Sequence, residues 1–583
     1  VTLTPVVRTP GATVTINGNP SSSGSAGAPV PLVDGNNAVP VVVSSADGTS
    51  TITYTVHVTR LPAQFAFSSP TGASLASQAF DLAGKSVDFA LHHSPALGAD
   101  LRVLDNTGRD FIRGEFENLA QGEKLFLEFG GIAYSYVADY FGGSGNDLVL
   151  RWGNTWVAAW GYAGYGALGT VSPSDAKIPN PVDRSGVLAG KTVVALGAGP
   201  QSSVVLCADG TLAAWGANPN GQIGNGDTSS PVRSPVAVDT SGVLAGKRVI
   251  AIAVGDNHSL ALCADNTLVA WGSNLRGQLG NGDTVDAFSP VEVDRSGVLA
   301  DKTIIAIAAG GFHSLVLCLD GTMATWGANE RGQLGDGTRD RKHVPVEVAT
   351  SSALFGRTPA SISAGLEHNL VLCTDGTVLG WGGNYRGRLG NGRTDDADVP
   401  VPAMFGGALT GKTVVEVEAG YVHSLVLCSD GTIGAAGSSR EGTLGNGSSA
   451  DEYVSTPVAV NRSGVLAGRT VAELAPGSFY SLAWCTDGTL VSWGRGDNGY
   501  LGNGGIDDQA VPVQVDRSAL APGRFLAPIP PAAGGLHNLV VVASPVPPAL
   551  ETLAASDVGD TGATLHGTVN PNGFSTSVYF EYG

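Results

Sequence analysis

The sequence predicts an all-β protein organised around an array of four-stranded repeats, and three observations predict it. First, a stretch close to Ala-Gly-x-x-His-Ser-Leu-x-Leu-Cys-x-Asp-Gly-Thr-x-x-x-Trp-Gly-x-Asn-x-x-Gly-Gln-Leu-Gly-Asn-Gly recurs down most of the 583-residue chain. Its Trp-Gly pair falls at Trp160, Trp215, Trp271, Trp326, Trp381 and Trp493, with Ala436-Gly437 where one Trp is lost; the spacings are 55, 56, 55, 55, 55 and 57. Periods of this size belong to solenoids, propellers and arrays, whose units bury their apolar faces against neighbours. Second, short Val/Ile/Leu/Thr runs bounded by Gly, Pro, Asn and Asp are everywhere, whereas long amphipathic helices are hard to find. Third, Gly is 83 of 583 residues, about twice the usual ~7%, beside 43% hydrophobic residues: a turn-rich folded chain.

From the N-terminus, residues 1–60 carry Val14-Thr15-Ile16 before an Asn17-Gly18 turn, then Val30–Pro40 with Gly35-Asn36-Asn37. Asp47-Gly48-Thr49 leads into a closing strand at Thr51–Thr59. This pattern resembles the bacterial cadherin-like β-sandwich module with its first strand or two trimmed. Residues 61–152 keep β-like alternation, as at Asp100–Leu104 and Lys124–Phe129, and are similar to terminal segments of large bacterial surface and autotransporter-associated proteins. Within them, Gly142-Gly143-Ser144-Gly145-Asn146-Asp147-Leu148-Val149-Leu150 resembles the calcium-binding repeat-in-toxin nonapeptide, with Asp147 as the candidate ligand. A β-roll site takes ligands from successive turns and only one copy is present, so a Gly-rich hairpin is the favoured reading.

The repeats span residues 153–544. In one unit Thr303–Ala309, His313–Cys318, Thr322–Trp326 and Pro345–Val348 read as four strands. Asp-Gly-Thr joins the second to the third, a tight turn needing φ > 0 at its Gly. In the third unit that Gly becomes Asn266, the residue type next most tolerant of the conformation. Four antiparallel strands per ~55 residues make a propeller blade. Seven Trp-Gly positions and seven Ala-Gly-type starts (Gly199, Gly255, Gly310, Gly365, Gly420, Gly477, Gly535) are offset, leaving an orphan half-unit at each end. The halves complete one another, so the expectation is seven blades. The last is built from Thr155–Trp160 and His537–Val542, with Asn154 and Ala543 side by side where the other blades turn.

These motifs resemble the regulator of chromosome condensation family, whose members form seven-bladed propellers. The connector Val-Asp-Arg-Ser-Gly-Val-Leu-Ala-Gly-Lys-Thr-Val-Val at 182–194, echoed at 293–305 and 460–471, is similar to the secreted bacterial branch. The family's founding member is a nucleotide exchange factor, acting through a wedge inserted into one blade; the uniform spacing here leaves no room for one. The plant photoreceptor branch uses a Gly-Trp-Arg-His-Thr motif, absent here. After Pro545, Leu553–Tyr582 resembles the opening strands of a fibronectin type III-like domain over 545–583. Val1 is followed by no basic n-region or apolar h-region, and both ends read as cut from a longer multidomain protein.

The formal net charge is −19 and no basic stripe is visible, which argues against a nucleic-acid partner. The longest apolar runs are far too short for a transmembrane helix. Cys207, Cys263, Cys318, Cys373, Cys428 and Cys485 recur at one register, too far apart between successive blades for disulfides; they read as buried free thiols. His258, His313, His368, His423 and His537 also share a register, with Ser202 and Tyr480 in the remaining units. Atoms spread around a seven-fold channel cannot all reach one metal ion, so these histidines read as hydrogen-bonding struts. His and Ser adjacent on a strand point to opposite faces, which removes a nucleophile–base pair within the dipeptide. Gly164–Gly169 spells a dinucleotide fingerprint without the βαβ context that gives it meaning, and Arg495-Gly496-Asp497 reads as a loop by chance.

No catalytic constellation, cofactor site or metal site is expected. The recurring tryptophans read as core between blades. The variable loops can change without disturbing the ring, and their candidate contact residues are Asn220, Arg276, Arg331, Tyr385, Arg386, Arg440 and Tyr500. The expected function is a non-enzymatic interaction or structural scaffold of a secreted or surface-attached bacterial protein, with a protein, a surface glycan or further copies of itself as partner. Alternatives are a subunit of a self-assembling extracellular fibre, an enzyme-inhibiting propeller and, last, a nucleotide exchange factor.

Overall fold

The computed structural model describes residues 3–570 apart from 4, 7–10, 24, 26–27, 29, 31–34, 61–62, 68–74, 97, 144, 171, 173, 351–352, 405–408, 521–523, 545–548 and 560–561. The chain divides into two compact units. One comprises residues 1–94, 101–133 and 138–150, the other 95–100, 134–137 and 151 onward.

In the first unit, Asn17 and Gly18 hold φ of 48° and 81°, the paired positive values of a type I′ hairpin turn. They join Thr13–Ile16 to Asn19–Ser21 in an antiparallel sheet that continues through Gly35–Ser44 to Thr51–Arg60. Val14, Ile16, Val30 and Val39 form its core. A second sheet contains Lys124–Phe129, the span expected from its alternation, and Leu101–Asn106, shifted C-terminally from the expected Asp100–Leu104. Two pairings are parallel: Ala63–Phe67 with Val87–Leu91, and Leu75–Ser77 with Leu101–Asn106. Parallel partners lie far apart in sequence and have no turn signature between them, so local patterning does not reveal them.

The second unit contains six four-stranded antiparallel sheets, each with its strands in chain order. Sheet 1 opens at Val193, sheet 2 at Val249, sheet 3 at Ile304, sheet 4 at Pro359, sheet 5 at Val414 and sheet 6 at Val471. Sheet 3 runs Ile304–Ala309, His313–Cys318, Met323–Gly327 and Lys342–Glu347. The fourth strand therefore starts at Lys342 and not at Pro345. A register shift between Thr325 and Gly327 lets Gly327 pair with Lys342, and that charged outer position reads as loop in the sequence. Asn266 takes the turn's left-handed conformation at φ 68°.

A seventh sheet is composite. Thr155–Gly161 lies between Ala176–Pro181 and His537–Ala543, with Phe525–Leu526 beyond. Thr155 pairs with Ala543 and Gly161 with His537, and the Ser544 N–H donates to the Asn154 carbonyl at 2.9 Å. Segments almost four hundred residues apart meet where the other sheets make their Asp-Gly-Thr turn. Near the C-terminus, Ala549–Gly559 pairs antiparallel with Gly562–Asn570; the rest of the fibronectin-like stretch, 571–583, lies outside the described residues, as does Thr561.

The recurring tryptophans lie between sheets. Trp160, Trp215, Trp271, Trp326, Trp381 and Trp493 are each fully buried, and each indole N–H reaches a loop carbonyl of the preceding repeat. Trp326 donates to Gln278 at 2.9 Å, Trp271 to Gln222 at 3.0 Å and Trp160 to Tyr500 at 3.0 Å. Large aromatic area is thus buried without stranding the polar N–H. The six cysteines are free and buried, and burial pushes the Cys207 thiol up to about 12 and Cys318 to about 11.

Candidate protein-interaction site

Histidines bridge five of the seams between successive sheets. The Ser314 hydroxyl donates to the Gln278 carbonyl at 2.9 Å, so His258 Nε2–H donates to Ser314 Oγ at 3.0 Å. His313 does the same to Asn369 Oδ1 at 2.9 Å; the Asn369 amide donates to Gln333 at 2.8 Å, which leaves Oδ1 as the acceptor. His368 reaches Ser424 at 2.8 Å, His423 reaches Ser481 at 2.7 Å and His537 reaches Ser203 at 2.7 Å. Neighbouring residues of one His-Ser dipeptide do not pair, yet His and Ser do meet across the seams, which reading the dipeptides in isolation misses. Where the serine proton goes to a carbonyl, as at Ser203, Ser314 and Ser424, the pair lacks the polarity of a nucleophile and its base. With the Ser314 proton committed to a carbonyl, His258 is a donor to that oxygen and cannot accept from it. Burial pushes His258 and His423 down to about 3 and His313 and His537 to about 4, so the rings stay neutral.

At the same end of the sheets, just past the third strands, buried asparagines hold the variable loops. Asn274 Oδ1 accepts the Leu279 N–H at 3.0 Å while its Nδ2 donates to Asn281 Oδ1 at 3.0 Å and the Asp283 carbonyl at 3.1 Å; Asn384 repeats this in sheet 4. A rigid base therefore carries the candidate contact residues. Asn220 donates to Asp286 at 2.9 Å, Arg276 pairs with Glu330 at 2.5 Å, Arg331 lies 3.4 Å from Asp396, and Arg440 lies 3.3 Å from Glu441. Tyr500 is a correction: it is 3% exposed and stacks on Tyr480 at 5.5 Å. It fills the core position that Gln222 and Gln278 take elsewhere, and a position that varies between repeats need not face solvent.

Tyr385 and Arg386 show what the sequence did not. Tyr385, 58% exposed, meets Tyr453, 51% exposed, with ring centroids 5.7 Å apart and hydroxyls at 3.3 Å. The Arg386 guanidinium lies 5.4 Å and 5.0 Å from the two rings and is anchored by Asp451 and by Ser438 at 2.9 Å. Two exposed tyrosines are thereby pre-positioned on a fixed cation. Tyr453, in the outer strand of the next sheet, carries no repeat motif that marks it.

A cavity of about 80 Å³ lies among the first-strand ends, lined by small residues including Gly199, Gly255, Gly310 and Gly420. Tyr421 crosses it to hydrogen-bond Asp256, whose carboxyl burial raises to about 6. Further along the first strand of sheet 5, burial first and neighbouring carboxylates second push Glu416 up to about 9, and burial pushes Glu418 to about 8. At the Asp-Gly-Thr turns a charged pair recurs that the motif did not disclose. Lys191–Asp209, Lys247–Asp265, Lys302–Asp320, Arg357–Asp375, Lys412–Asp430 and Arg469–Asp487 each link the turn to the connector eighteen residues earlier.

Asp147 is 1% exposed, accepts the Asn106 N–H at 2.7 Å and lies 4.0 Å from Arg102. Its carboxylate thus fastens the hairpin; Ser144 of the nonapeptide lies outside the described residues. Among the described residues no group of three His, Cys, Asp or Glu is placed to hold a metal, and no helix is long and apolar enough to cross a membrane. Arg495 and Asp497 of the Arg-Gly-Asp tripeptide pair with each other at 2.5 and 2.6 Å. Gly164–Gly166 is a 3-10 turn with Tyr165 at φ 60°.

Repeated four-stranded sheets and tryptophan seams define a repeat β-propeller. The RCC1-like domain profile matches residues 156–540, and the chain belongs to that family. Residues 1–61 match the cadherin-like beta sandwich domain. The human E3 ubiquitin-protein ligase HERC2 is 32% identical over 354 residues, 60% of this chain but 7% of that protein's length. The ultraviolet-B receptor UVR8 of Arabidopsis thaliana is 29% identical over 326 residues, 56% of this chain and 70% of the receptor. Prp20p from Saccharomyces cerevisiae shares the fold at TM-score 0.57 and 22% identity, covering 67% of this chain and 92% of its own.

Proposed function

We propose that this chain is a non-enzymatic protein-interaction scaffold of a secreted or surface-attached bacterial multidomain protein. Its repeat region is a seven-bladed ring closed by strands from both ends. The register of Thr155–Gly161 against His537–Ala543 and the His537–Ser203 bond between the composite sheet and sheet 1 support the ring reading. The cadherin-like match at residues 1–61 supports the surface context. Prp20p is described for its binding to Gsp1p and histones, which favours binding as the shared use of the fold. The ligase and photoreceptor activities of the other relatives are not carried over, since the chain spans only 7% of the ligase.

The observation that carries the proposal is the Tyr385–Arg386–Tyr453 cluster, whose composition matches interface hot spots. A photo-crosslinking residue at position 385 should capture a protein partner from the surface fraction of the source cells, and one at Ser241 should not. Arg386→Ala with Tyr453→Ala, the crosslinking residue kept at position 385, should abolish that capture. Equal capture at both positions, or capture that survives the double substitution, would overturn the reading. A fibre subunit is a second reading, favoured by the sheet-edge strand Thr51–Arg60 with Ile52 59% and Tyr54 55% exposed, because such an edge can accept another strand. Concentration-dependent filaments in electron microscopy, lost on Thr53→Pro, test it.

A further inference from the structure

One arginine caps the Asp-Gly-Thr turn in three of the repeat sheets. Arg295 donates to the Asn266 carbonyl and, at 2.6 Å, to that of Lys302. Arg462 donates to the turn carbonyl of Asp430 at 3.5 Å and to that of Arg469 at 2.7 Å, and Arg517 to the turn carbonyl of Gly488 at 3.4 Å. The composite sheet has the same residue in the same Val-Asp-Arg-Ser setting, Arg184. It has no such turn, because the strands that would flank it come from opposite ends of the repeat region. Arg184 is left without its carbonyls.

Its guanidinium lies 5.6 Å from the centre of the Trp156 ring, and Arg524 lies 4.3 Å from the same ring. Trp156 takes the position held by Thr211 and Thr267, the last residue of the turn motif, in sheets 1 and 2, so the sequence places an indole at the site where a turn is missing. Among the described residues no carboxylate pairs with Arg184 or Arg524, whereas Arg276, Arg357, Arg386, Arg388 and Arg469 all have one. The neighbouring segments 521–523 and 545–548 contain no acidic residue. Partial desolvation of the guanidinium against the Trp156 ring first, then the like charge of Arg524, holds Arg184 below its usual value. Both arginines are exposed. Two exposed guanidiniums fixed on one indole, uncompensated in a chain of net charge −19, are a local exception to its electrostatics.

We propose that Arg184 and Arg524, seated on Trp156, form an oxyanion-binding site that takes a carboxylate, phosphate or sulfate group. Guanidinium forks match such oxygens in geometry, and cation–π contact holds the forks in place without neutralising them. The site is independent of the Tyr385 surface and stands or falls separately.

Calorimetric titration of the full chain with sodium sulfate, sodium phosphate or sodium glutarate, each against sodium chloride at equal ionic strength, separates site binding from screening. We expect saturable binding of at least one oxyanion and none of chloride. Arg524→Gln and Arg184→Gln should each weaken it at least tenfold, while Arg517→Gln, which removes the equivalent arginine from an intact turn, leaves it unchanged. A preference for the tetrahedral ions points to an ester-bearing ligand and a preference for glutarate to acidic side chains. A response no larger than that to chloride, or one retained in the Arg524→Gln protein, overturns the proposal. Arg524 is a surface residue, so that variant carries the test if Arg184→Gln does not fold.

Discussion

The seam between sheets 2 and 3 and the seam between sheets 4 and 5 grow from the same repeat and are filled differently. In the first, Trp326 packs among Leu260, Leu268, Leu279, Val316 and Cys318, with its N–H on the Gln278 carbonyl. In the second, Ala436 stands where the Trp would be and Arg388 where the Gln would be. Arg388 is almost fully buried and donates to the carbonyls of Gly383 and Tyr421, each at 2.7 Å, and to Glu367 at 2.8 Å. The aliphatic core there holds no aromatic residue, and a cavity of about 10 Å³ remains beside Ala436, Gly390 and Pro457. The polar bond survives in both: Ser424 donates to the Arg388 carbonyl at 2.7 Å as Ser314 donates to Gln278 at 2.9 Å. Backbone-directed bonds therefore persist when the large side chain is lost, and a charged network replaces part of the aromatic packing.

The largest effect is expected from Trp326→Ala. It removes the fully buried indole and should cost about 3–5 kcal/mol in chemical denaturation, the usual range for a large aromatic in a core. A loss under 1 kcal/mol would show that the tryptophan seams are not what holds the sheets together. Glu367→Gln strikes the other seam by leaving Arg388 without its counter-charge. Because Glu367 is partly exposed, about 1–3 kcal/mol is expected, with increased hydrogen exchange confined to sheets 4 and 5. Ala436→Trp asks whether the missing aromatic left a vacancy. The space has closed onto about 10 Å³, so the indole should overpack and destabilise by about 1–3 kcal/mol; a raised melting temperature would mean the seam is underfilled.

The smallest effect concerns a feature common to both regions, the lysine–aspartate pair at the turn. Lys302 first, with help from Thr322, lowers the Asp320 carboxyl to about 2. A carboxyl lower in the folded than in the unfolded chain contributes stability above the unfolded value near ~4, and loses it as pH falls from there through about 2. Asp320→Asn should therefore cost about 0.2–1 kcal/mol at pH 6, typical of a half-exposed pair, and nothing below pH 2. Asp430→Asn in sheet 5, whose carboxyl Lys412 lowers likewise, should follow the same pH course; a different course would show that the altered seam reaches the turns.

Much of the fold was legible because it repeats. The Trp-Gly spacing located the third strands, Asp-Gly-Thr located the hairpin turns, and the offset orphan halves pointed to pairing of Thr155–Trp160 with His537–Val542. Fourth-strand starts such as Lys342 were not legible, because a bulge at Gly327 sets their register. The candidate site was less readable. Tyr385 and Arg386 stood out as departures from the consensus, but Tyr453 lies 68 residues away, with no local pattern to connect them. Tyr500 departed from the consensus for a packing reason and not for contact with a partner.

By itself the sequence determined the repeat length, the all-β pattern and the residue types at each register, because periodicity, turn chemistry and hydrophobic alternation are local properties of the chain. Only the tertiary structure decided which neighbour each residue meets. It joined His258 to Ser314 across a seam, drew Arg388 into the core, seated two arginines on Trp156 and set two tyrosines around Arg386. Those contacts depend on how one sheet is placed against the next, and that placement comes from packing between units whose sequences are nearly alike. A repeat motif specifies the unit; the departures from it acquire meaning only where two units touch.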